Sequence, residues 1–415
     1  MTNQQNGQNQ KAAQMHNRSL VLQYLAGADT ITRVTLAEKT GLQQATISKI
    51  IATMIELGIV REEGMTKGRM GRRSIALAFN YARFRVVAVK LAREAFIVGT
   101  FDLKGNHLEI YSEAIDRRIH KPDDVIHRIH MEIRRQAQKH GGIYAIGVAV
   151  PGPYMKTTGQ IALMSEFPGW ANYNIASAFN HVFDVPVIIE HDANAGAFAL
   201  WKFGPYQQQG VRTLFHFLVS EGVGAGIICD GAILSGAHGI AGEVGHMSIN
   251  TMSTKRCACG NYGCLEMYCS AHAMVSTARE WLARYPASAL RQYPALDAGC
   301  IFRELNKGDQ LCVDLVTHIG RHLGAAIVNI VNIYDPDVIV LSDIMTGGGE
   351  VMMAAIRETV QARIRNALRD EVRVEYCTSS IDPILCGAAV IAINHLLENP
   401  PFFQDAQQPP LEEAT

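Results

Sequence analysis

The sequence predicts an α/β protein in which a small helical head precedes a large body. From Phe84 onward, short Val- and Ile-rich runs alternate with helical stretches, a pattern typical of α/β domains. Before that point, apolar residues recur at helical spacing. The chain has 415 residues, of which 19% are charged and 48% hydrophobic, so it has room for two or three domains.

The charge distribution also separates the head from the body, near residue 85. The formal net charge is −1, yet the first 85 residues contain 12 Lys and Arg against 5 Asp and Glu. A basic head on an acidic body indicates that the head meets a polyanion such as a nucleic acid.

The head, residues 15–82, has the layout of a helix-turn-helix. An apolar run at 20–25 predicts one helix, Thr32 can cap a second, and a third runs from about Gln44 to Leu57. Apolar side chains occupy one face of the third helix and small polar groups the other. In a helix-turn-helix the first turns of this helix read base edges in the major groove. The residues expected to contact double-stranded DNA are Gln43, Gln44, Thr46, Ser48 and Lys49.

A short ribbon is predicted after the third helix, from residues 58–60, with a basic tip at 67–73. Arginine can enter a narrow minor groove or clamp phosphate. We therefore expect Arg69, Arg72 and Arg73 to contact DNA as well. The alternative interpretation of the head is a solvated helical bundle with a charged loop.

The body, residues 83–398, contains six runs with the composition of strands. They are 86–91, 96–101, 143–150, 187–190, 214–219 and 338–341. Residues 1–14 are rich in Gln and Asn, and residues 399–415 are rich in Pro and acids. Both segments are expected to be disordered tails.

One motif in the body predicts a metal site. A histidine and three cysteines occur as H-x10-C-x-C-x4-C at His246, Cys257, Cys259 and Cys264. Imidazole and thiolate are the ligands of closed tetrahedral zinc sites, and the glycines at 260 and 263 let the chain double back. We therefore expect one structural Zn²⁺ ion per chain, in a loop that also carries Glu243 and Glu266. The alternative is a set of buried, reduced cysteines.

The other six cysteines are scattered singly among apolar or helical stretches and are expected to be reduced thiols. Four histidines, at 238, 272, 318 and 322, are expected at the surface, outside any metal site. The first ten residues lack the layout of a signal peptide, and no apolar run approaches the roughly 18 residues that span a bilayer. These features predict a cytoplasmic protein with no membrane partner.

The motifs GEVGH (242–246) and CxCGxxGCxE (257–266) together resemble the signature of the ROK family of bacterial sugar kinases and sugar-responsive repressors. The resemblance extends from about residue 15 to 398. It implies a two-lobed, actin-like ATPase fold of the sugar-kinase type with structural zinc. It also implies that Glu243, His246 and Glu266 contact sugar hydroxyls. Asp192 keeps the position of the kinase base and is expected to accept hydrogen bonds from the sugar.

Two departures from the kinases indicate the repressor branch. The head resembles the winged helix-turn-helix of ROK repressors, which ROK kinases lack. The kinase phosphate turns are altered. D-x-G-x-T reads 90–94 Lys-Leu-Ala-Arg-Glu, and G-G reads 342–343 Ser-Asp. G-T-G is replaced by Ser-Glu-Gly-Val-Gly-Ala-Gly at 220–226, which places Glu221 where phosphate would sit. Acids in these turns oppose a triphosphate by like-charge repulsion. The resemblance therefore implies that the protein is not an enzyme.

Two loops, at 151–152 and 166–170, resemble those that close over the ligand in the family. Trp170 could stack on a pyranose face or pack inside a lobe, and the sequence supports both interpretations equally.

Together these features predict a sugar-responsive transcriptional repressor of carbohydrate genes. Its body would bind a sugar or sugar phosphate without phosphorylating it, and a change in lobe closure would lower operator affinity. A homodimer or homotetramer is expected because one such head reads only a half-site. Two alternatives stay open: an active ROK sugar kinase with an appended DNA-binding domain, and a repressor controlled by a protein partner.

Overall fold

The computed structural model describes residues 10–67, 73–116, 119–161, 169–171, 173–365, 371–379 and 381–403. The chain forms two compact units. Unit 1 comprises Met1–Val148, Ala178–Ile189 and Ala388–Thr415, and unit 2 comprises Ala149–Ser177 and Glu190–Gly387.

Helices and strands alternate along most of the body, which agrees with the predicted α/β class. The helices are α1 (Gln10–Ala26), α2 (Arg33–Thr40), α3 (Gln44–Glu56), α4 (Pro122–His140), α5 (Ile175–Phe179), α6 (Asp192–Phe203), α7 (Glu266–Cys269), α8 (Ala271–Trp281), α9 (Ala298–Leu305), α10 (Gln310–Tyr334), α11 (Gly349–Arg363) and α12 (Pro383–Glu398). The strands are β1 (Ile31–Thr32), β2 (Val60–Lys67), β3 (Arg73–Phe79), β4 (Arg85–Leu91), β5 (Ala95–Asp102), β6 (His107–Ala114), β7 (Ile143–Val150), β8 (Tyr154–Met155), β9 (Gln160–Ile161), β10 (Val187–His191), β11 (Thr213–Val219), β12 (Val223–Cys229), β13 (Ala232–Ile233), β14 (Val338–Ser342) and β15 (Val374–Tyr376).

The two expected tails fall largely on residues 1–9 and 404–415, which lie outside the described residues. Helix α1 begins at Gln10, so residues 10–14 are helical and not part of a disordered tail. The alanines at 12 and 13 have a high helix propensity and extend the helix toward the N-terminus.

The head of unit 1 consists of α1, α2, α3 and the antiparallel sheet β1-β3-β2. Thr32 caps α2 as the sequence predicts, because its hydroxyl accepts a hydrogen bond from the Thr35 amide at 3.2 Å. Helix α3 buries the apolar face that holds it against the rest of the head. The buried residues of this face are Ile47, Ile50, Ile51 and Met54.

The rest of unit 1 is built on the sheet β10-β7-β4-β5-β6, in which β4, β5 and β6 are antiparallel. Helix α4 packs on this sheet and buries Gln136. The Gln136 side chain accepts a hydrogen bond from the Thr100 hydroxyl at 2.7 Å and donates one to the Val98 carbonyl at 3.1 Å. Because a buried amide without partners is costly, these bonds fix the position of α4 on the sheet.

Unit 2 is built on the sheet β13-β12-β11-β14-β15. Strand β11 is parallel to β14, with Leu214 opposite Val338, and antiparallel to β12. Helices α8, α10 and α11 contribute to the core on this sheet. A Cβ atom at Gly324 would lie 2.7 Å from the Cβ atom of Thr359, so glycine allows α10 and α11 to approach closely. By length and composition α10 could cross a membrane, but most of its apolar stretch is buried in this core.

The six cysteines outside the predicted metal motif are free thiols. Cys269, Cys300, Cys312 and Cys386 are buried, and Cys229 and Cys377 are half-buried. Their separate positions agree with the prediction of reduced core thiols.

Candidate functional site

The histidine and three cysteines of the predicted metal motif come together in unit 2. Their four ligand atoms lie within 4.8 Å of one another. The Cys257 Sγ lies 3.6 Å from the His246 Nδ1, and the Cys259 Sγ lies 3.7 Å from the Cys264 Sγ. Because imidazole and thiolate are ligands of transition-metal ions, the cluster could hold a metal ion.

Glycines allow the loop of this cluster to fold tightly. Gly260 and Gly263 have φ values of +91° and +67°, in the left-handed region that other residues rarely adopt. A Cβ atom at Gly263 would lie 2.0 Å from the Asn250 carbonyl oxygen, and one at Gly245 would lie 2.0 Å from that of Val223. The loop can therefore close only because these positions lack side chains.

Two thiols of the cluster, those of Cys257 and Cys264, need a nearby positive charge to ionise at neutral pH. Burial, together with the neighbouring Cys259, raises the pKa of Cys264 to about 12. Burial also raises the pKa of Cys257. At neutral pH these groups would stay protonated by themselves, whereas a bound divalent cation favours the thiolates.

An acidic cluster lies next to the metal motif in unit 2. Burial raises the pKa of Glu243; the charges of His191 and His246 oppose this shift, and those of Asp192 and Glu266 reinforce it. His246 Nε2 lies 3.9 Å from a Glu243 carboxylate oxygen. His246 therefore points Nδ1 at the sulfurs and Nε2 at the acids. The structure thus brings together all four residues that the sequence assigned to sugar binding.

Main-chain donors hold the other two carboxylates of the acidic cluster. The Val223 amide donates to Glu266 at 3.0 Å. Asp192 is the first residue of α6, and its Oδ1 accepts from the Ala193 amide at 2.6 Å. The same oxygen lies 3.2 Å from the His191 Nε2. These contacts fix the orientation of both carboxylates, and therefore the directions from which they can accept hydrogen bonds from a ligand.

Sequence reasoning missed an ion pair between a buried acid, Glu190, and the partly exposed Lys156. Glu190 is only 5% exposed, and its carboxylate lies 2.5 Å from the Lys156 Nζ. It also accepts hydrogen bonds from the His191 amide at 2.9 Å and from the Asn194 side chain at 3.1 Å. A Cβ atom at Gly152 would lie 2.1 Å from the His191 Nε2, so glycine makes room for the ring. The sequence does contain one signal for this ion pair, because Glu190 is an acid near the end of the otherwise apolar strand β10.

Trp170 packs inside unit 2. Its side chain is fully buried, and its ring centroid lies 5.3 Å from that of Tyr173. Of the two interpretations that the sequence left open, the structure shows packing. Residues 166–168 of the same loop lie outside the described residues.

One of the altered turns, at residues 342–343, has a side chain where the kinases have glycine. The Ser342 hydroxyl is buried and lies 2.6 Å from the His216 Nε2. Burial lowers the pKa of His216 to about 4, so this imidazole is neutral at pH 7. Asp343 has a φ of +70°, which is strained for a residue with a side chain.

In the head, the residues expected to contact DNA lie mostly at the surface. Gln43, Gln44, Ser48 and Lys49 are exposed, and Thr46 is half-buried. Arg69 and Arg72 lie outside the described residues. For Arg73 the structure describes only the main chain, which pairs with Lys67 in the ribbon of β2 and β3.

Comparison with known proteins adds to this geometry. The sequence pattern of the ROK family matches residues 86–395. The xylose repressor of Caldicellulosiruptor bescii is 27% identical over 394 residues, which cover 93% of this chain and 97% of that protein.

Two crystal structures show the fold. A ROK family transcriptional regulator, described as a homologue of the E. coli MLC protein, has a TM-score of 0.80 at 24% identity and covers 94% of this chain and 98% of its own. A ROK family glucokinase from Streptomyces griseus, in complex with glucose and AMPPNP, has a TM-score of 0.65 at 22% identity and covers 74% of this chain and 99% of its own. These matches confirm the sugar-kinase-like fold.

Proposed function

Because this chain belongs to the ROK family, we propose that it is a sugar-responsive transcriptional repressor. In this proposal the head binds double-stranded DNA and the body binds a sugar or sugar phosphate without phosphorylating it. The similarity to a xylose repressor supports it, since that similarity extends over 93% of the chain and thus reaches into the head. The protein would act in the cytoplasm on carbohydrate genes, as a homodimer or homotetramer.

The observation that carries the sugar-binding part is the convergence of carboxylates around Glu243. Sugars present several hydroxyl donors, and carboxylates accept charge-assisted hydrogen bonds from them. Such a bond contributes about 1.5–3 kcal/mol. We propose that the sugar is bound by Asp192, Glu243, His246 and Glu266.

The protein would hold the sugar without transferring phosphate to it. Asp192 keeps the position of the kinase base, but its Oδ1 already accepts from the Ala193 amide and faces His191. Acids also stand in turns that cradle phosphate in the kinases, at Glu221 and Asp343. Two like unit charges 4 Å apart repel each other by about 1 kcal/mol even in bulk water. This combination supports a binding role and argues against catalysis.

We propose that the metal of the Cys and His cluster is zinc. At Zn–S distances of about 2.3 Å and a Zn–N distance of about 2.1 Å, a tetrahedral ion places two sulfurs roughly 3.8 Å apart and a sulfur and a nitrogen roughly 3.6 Å apart. The observed separations are 3.7 Å and 3.6 Å. In this role zinc is structural: His246, Cys257, Cys259 and Cys264 would fill its coordination sphere, and the ion would orient His246 toward Glu243.

We propose that α3 is the DNA-reading helix. Its buried face packs in the head, while its first turns expose polar groups of little bulk. The side chains expected to reach bases or phosphates are Gln43, Gln44, Thr46, Ser48 and Lys49, joined by Arg69, Arg72 and Arg73 from the ribbon. Amide side chains suit adenine edges, and cations suit phosphate.

A two-step measurement tests the whole proposal. The full-length protein is first screened by thermal shift against pentoses, hexoses, amino sugars and their phosphates, since a ligand at 100 times its Kd adds about 2.7 kcal/mol of stability. The ligand that stabilises the protein is then added to its complex with a duplex selected from a random library. We expect that ligand to weaken DNA binding. A sugar that stabilises the protein and leaves DNA affinity unchanged would refute the regulatory role.

A further inference from the structure

Two histidines of α10 form a close pair in unit 2. His318 and His322 lie one helical turn apart, and their Nε2 atoms are 3.2 Å from each other. Both side chains are half-buried. These two histidines are therefore partly withdrawn from the surface at which they were expected, and their four-residue spacing on a helix places both rings on one face.

Aromatic rings on neighbouring elements hold the pair in place. The Trp281 ring centroid lies 5.4 Å from that of His318, and the Tyr268 ring centroid lies 4.7 Å from that of His322. Tyr268 is itself fixed, because its hydroxyl donates to the Ser253 hydroxyl at 2.7 Å. Both imidazoles are thus packed by neighbouring rings before any ligand arrives, which lowers the cost of binding one.

We propose that His318 and His322 chelate a first-row divalent transition-metal ion at a site separate from the Cys and His cluster. Two nitrogens bound at about 2.1 Å lie roughly 3.0 Å apart at a right angle and roughly 3.4 Å apart at a tetrahedral angle. The observed 3.2 Å falls between these values. The pair supplies two ligands, and water completes the coordination sphere.

The protonation state of the pair suits metal binding. Burial lowers the pKa of His322 to about 4, and the neighbouring His318 contributes to this shift. Burial also lowers the pKa of His318. Both rings are neutral at pH 7, so the ion displaces no proton into solvent. In the present contact one Nε2–H donates to the other Nε2, and binding requires that proton to move to Nδ1 of the same ring.

Charged side chains around the pair disfavour a bound cation, so the ligands themselves must supply the affinity. Lys255, Arg321 and Arg363 all oppose positive charge there. Asp314, one turn earlier on α10, accepts hydrogen bonds from Tyr285 at 2.6 Å and from Gln310 at 2.9 Å, so its carboxylate is already engaged. The ion must therefore be held by imidazole affinity alone. This favours nickel, copper and zinc over calcium and magnesium.

Nickel chloride is the probe for this site. It is titrated by calorimetry into the full-length, zinc-loaded protein at pH 7.5, with zinc content measured before and after. Trp281 provides an optical signal, because a paramagnetic ion bound near its ring quenches its fluorescence. The variants are His318→Ala, His322→Ala and His322→Gln, with His272→Ala, an exposed histidine on α8, as the matched control. Melting curves establish that each variant is folded.

We expect one nickel ion per chain with unchanged zinc content. Affinity should fall at least tenfold in His318→Ala and in whichever His322 variant is folded, and it should be unchanged in His272→Ala. In Trp281→Phe the site-specific quenching should disappear while the calorimetric signal remains. Equal nickel affinity in wild type and His318→Ala, or no binding below 1 mM nickel, would overturn the proposal.

Discussion

Ser19 in α1 donates a buried hydrogen bond of 2.8 Å to the main-chain carbonyl of Leu397 in α12, 378 residues further along the chain. The guanidinium of Arg18 lies 4.8 Å from the ring centroid of Phe403, beyond the end of the same helix. Helix α12 begins in unit 2 and continues in unit 1 from Ala388. Both contacts lie within unit 1 and hold the head against the C-terminal part of α12.

We predict that Ser19→Ala weakens the link between sugar and DNA. The change leaves the Leu397 carbonyl buried without its donor, which costs about 1–3 kcal/mol and loosens the attachment of α1. DNA affinity without sugar should stay within threefold of wild type, while the loss of affinity caused by sugar should shrink at least fivefold. Fluorescence anisotropy with and without the sugar measures both. Gln23→Ala is the control, because it removes another partner of the Ser19 hydroxyl, at 3.1 Å, and spares the Leu397 bond. An unaltered sugar response in Ser19→Ala would exclude this contact from the coupling.

Glu243→Ala should make the protein insensitive to its sugar. Losing one carboxylate that accepts charge-assisted hydrogen bonds should lower sugar affinity at least tenfold. DNA release should weaken in parallel, because coupling cannot exceed the differential affinity of the sugar for the two states. Calorimetry and anisotropy provide the readouts, with the exposed Glu280 of α8 changed to Ala as the control. If Glu243→Ala leaves DNA at the wild-type sugar concentration, the signal enters elsewhere, and control by a protein partner becomes the leading explanation.

Cys259→Ser should remove the metal and destabilise unit 2. The variant keeps three of the four ligands, and structural zinc contributes directly to folding free energy. Elemental analysis should find about one zinc per chain in wild type and much less in the variant, and the melting temperature should fall by roughly 5 °C or more. Cys229→Ser changes a half-buried thiol outside the cluster and should alter neither quantity. Wild-type protein that melts at the same temperature after complete chelation would contradict a structural metal.

Sugar phosphorylation should be absent. The acids at Glu221 and Asp343 oppose the triphosphate, and the Asp192 Oδ1 is already occupied by a main-chain donor. A coupled ADP assay with the sugar that stabilises the protein should show no turnover above background. Turnover that Asp192→Asn abolishes would establish the kinase alternative.

Two substitutions in α3 should separate base reading from phosphate binding. Gln44→Ala should change which sequences are selected from a random duplex library, because an amide side chain reads a base edge. Lys49→Ala should weaken binding to all sequences and reduce the slope of log affinity against log salt by about one. Library selection and salt titration measure these effects. Identical selected sequences for Gln44→Ala and wild type would remove Gln44 from base recognition.

Local sequence patterns were enough to predict the helices of the head, the metal motif and several strands of the body. The hydroxyl of Thr32 and the apolar spacing from Ile47 to Met54 predicted the helices of the head, because capping and helical periodicity act over a few residues. The metal motif was predictable for the same reason, since three of its ligands lie within eight residues of each other and glycine conformation sets the loop. Six strands of the body followed from their composition, with boundaries shifted by one residue or less, whereas β6, β8, β9, β12, β13 and β15 were not predicted.

Tertiary structure alone decided which distant residues meet. No sequence pattern predicts that Glu190 pairs with Lys156, that Trp170 is buried, or that Ser19 donates a hydrogen bond to Leu397. The pair at His318 and His322 has a visible spacing, but its half-buried state depends on rings contributed by Tyr268 and Trp281. Burial and long-range pairing arise when separate elements pack against each other, and that packing is a property of the whole chain, whereas helix caps and metal motifs are encoded by neighbouring residues.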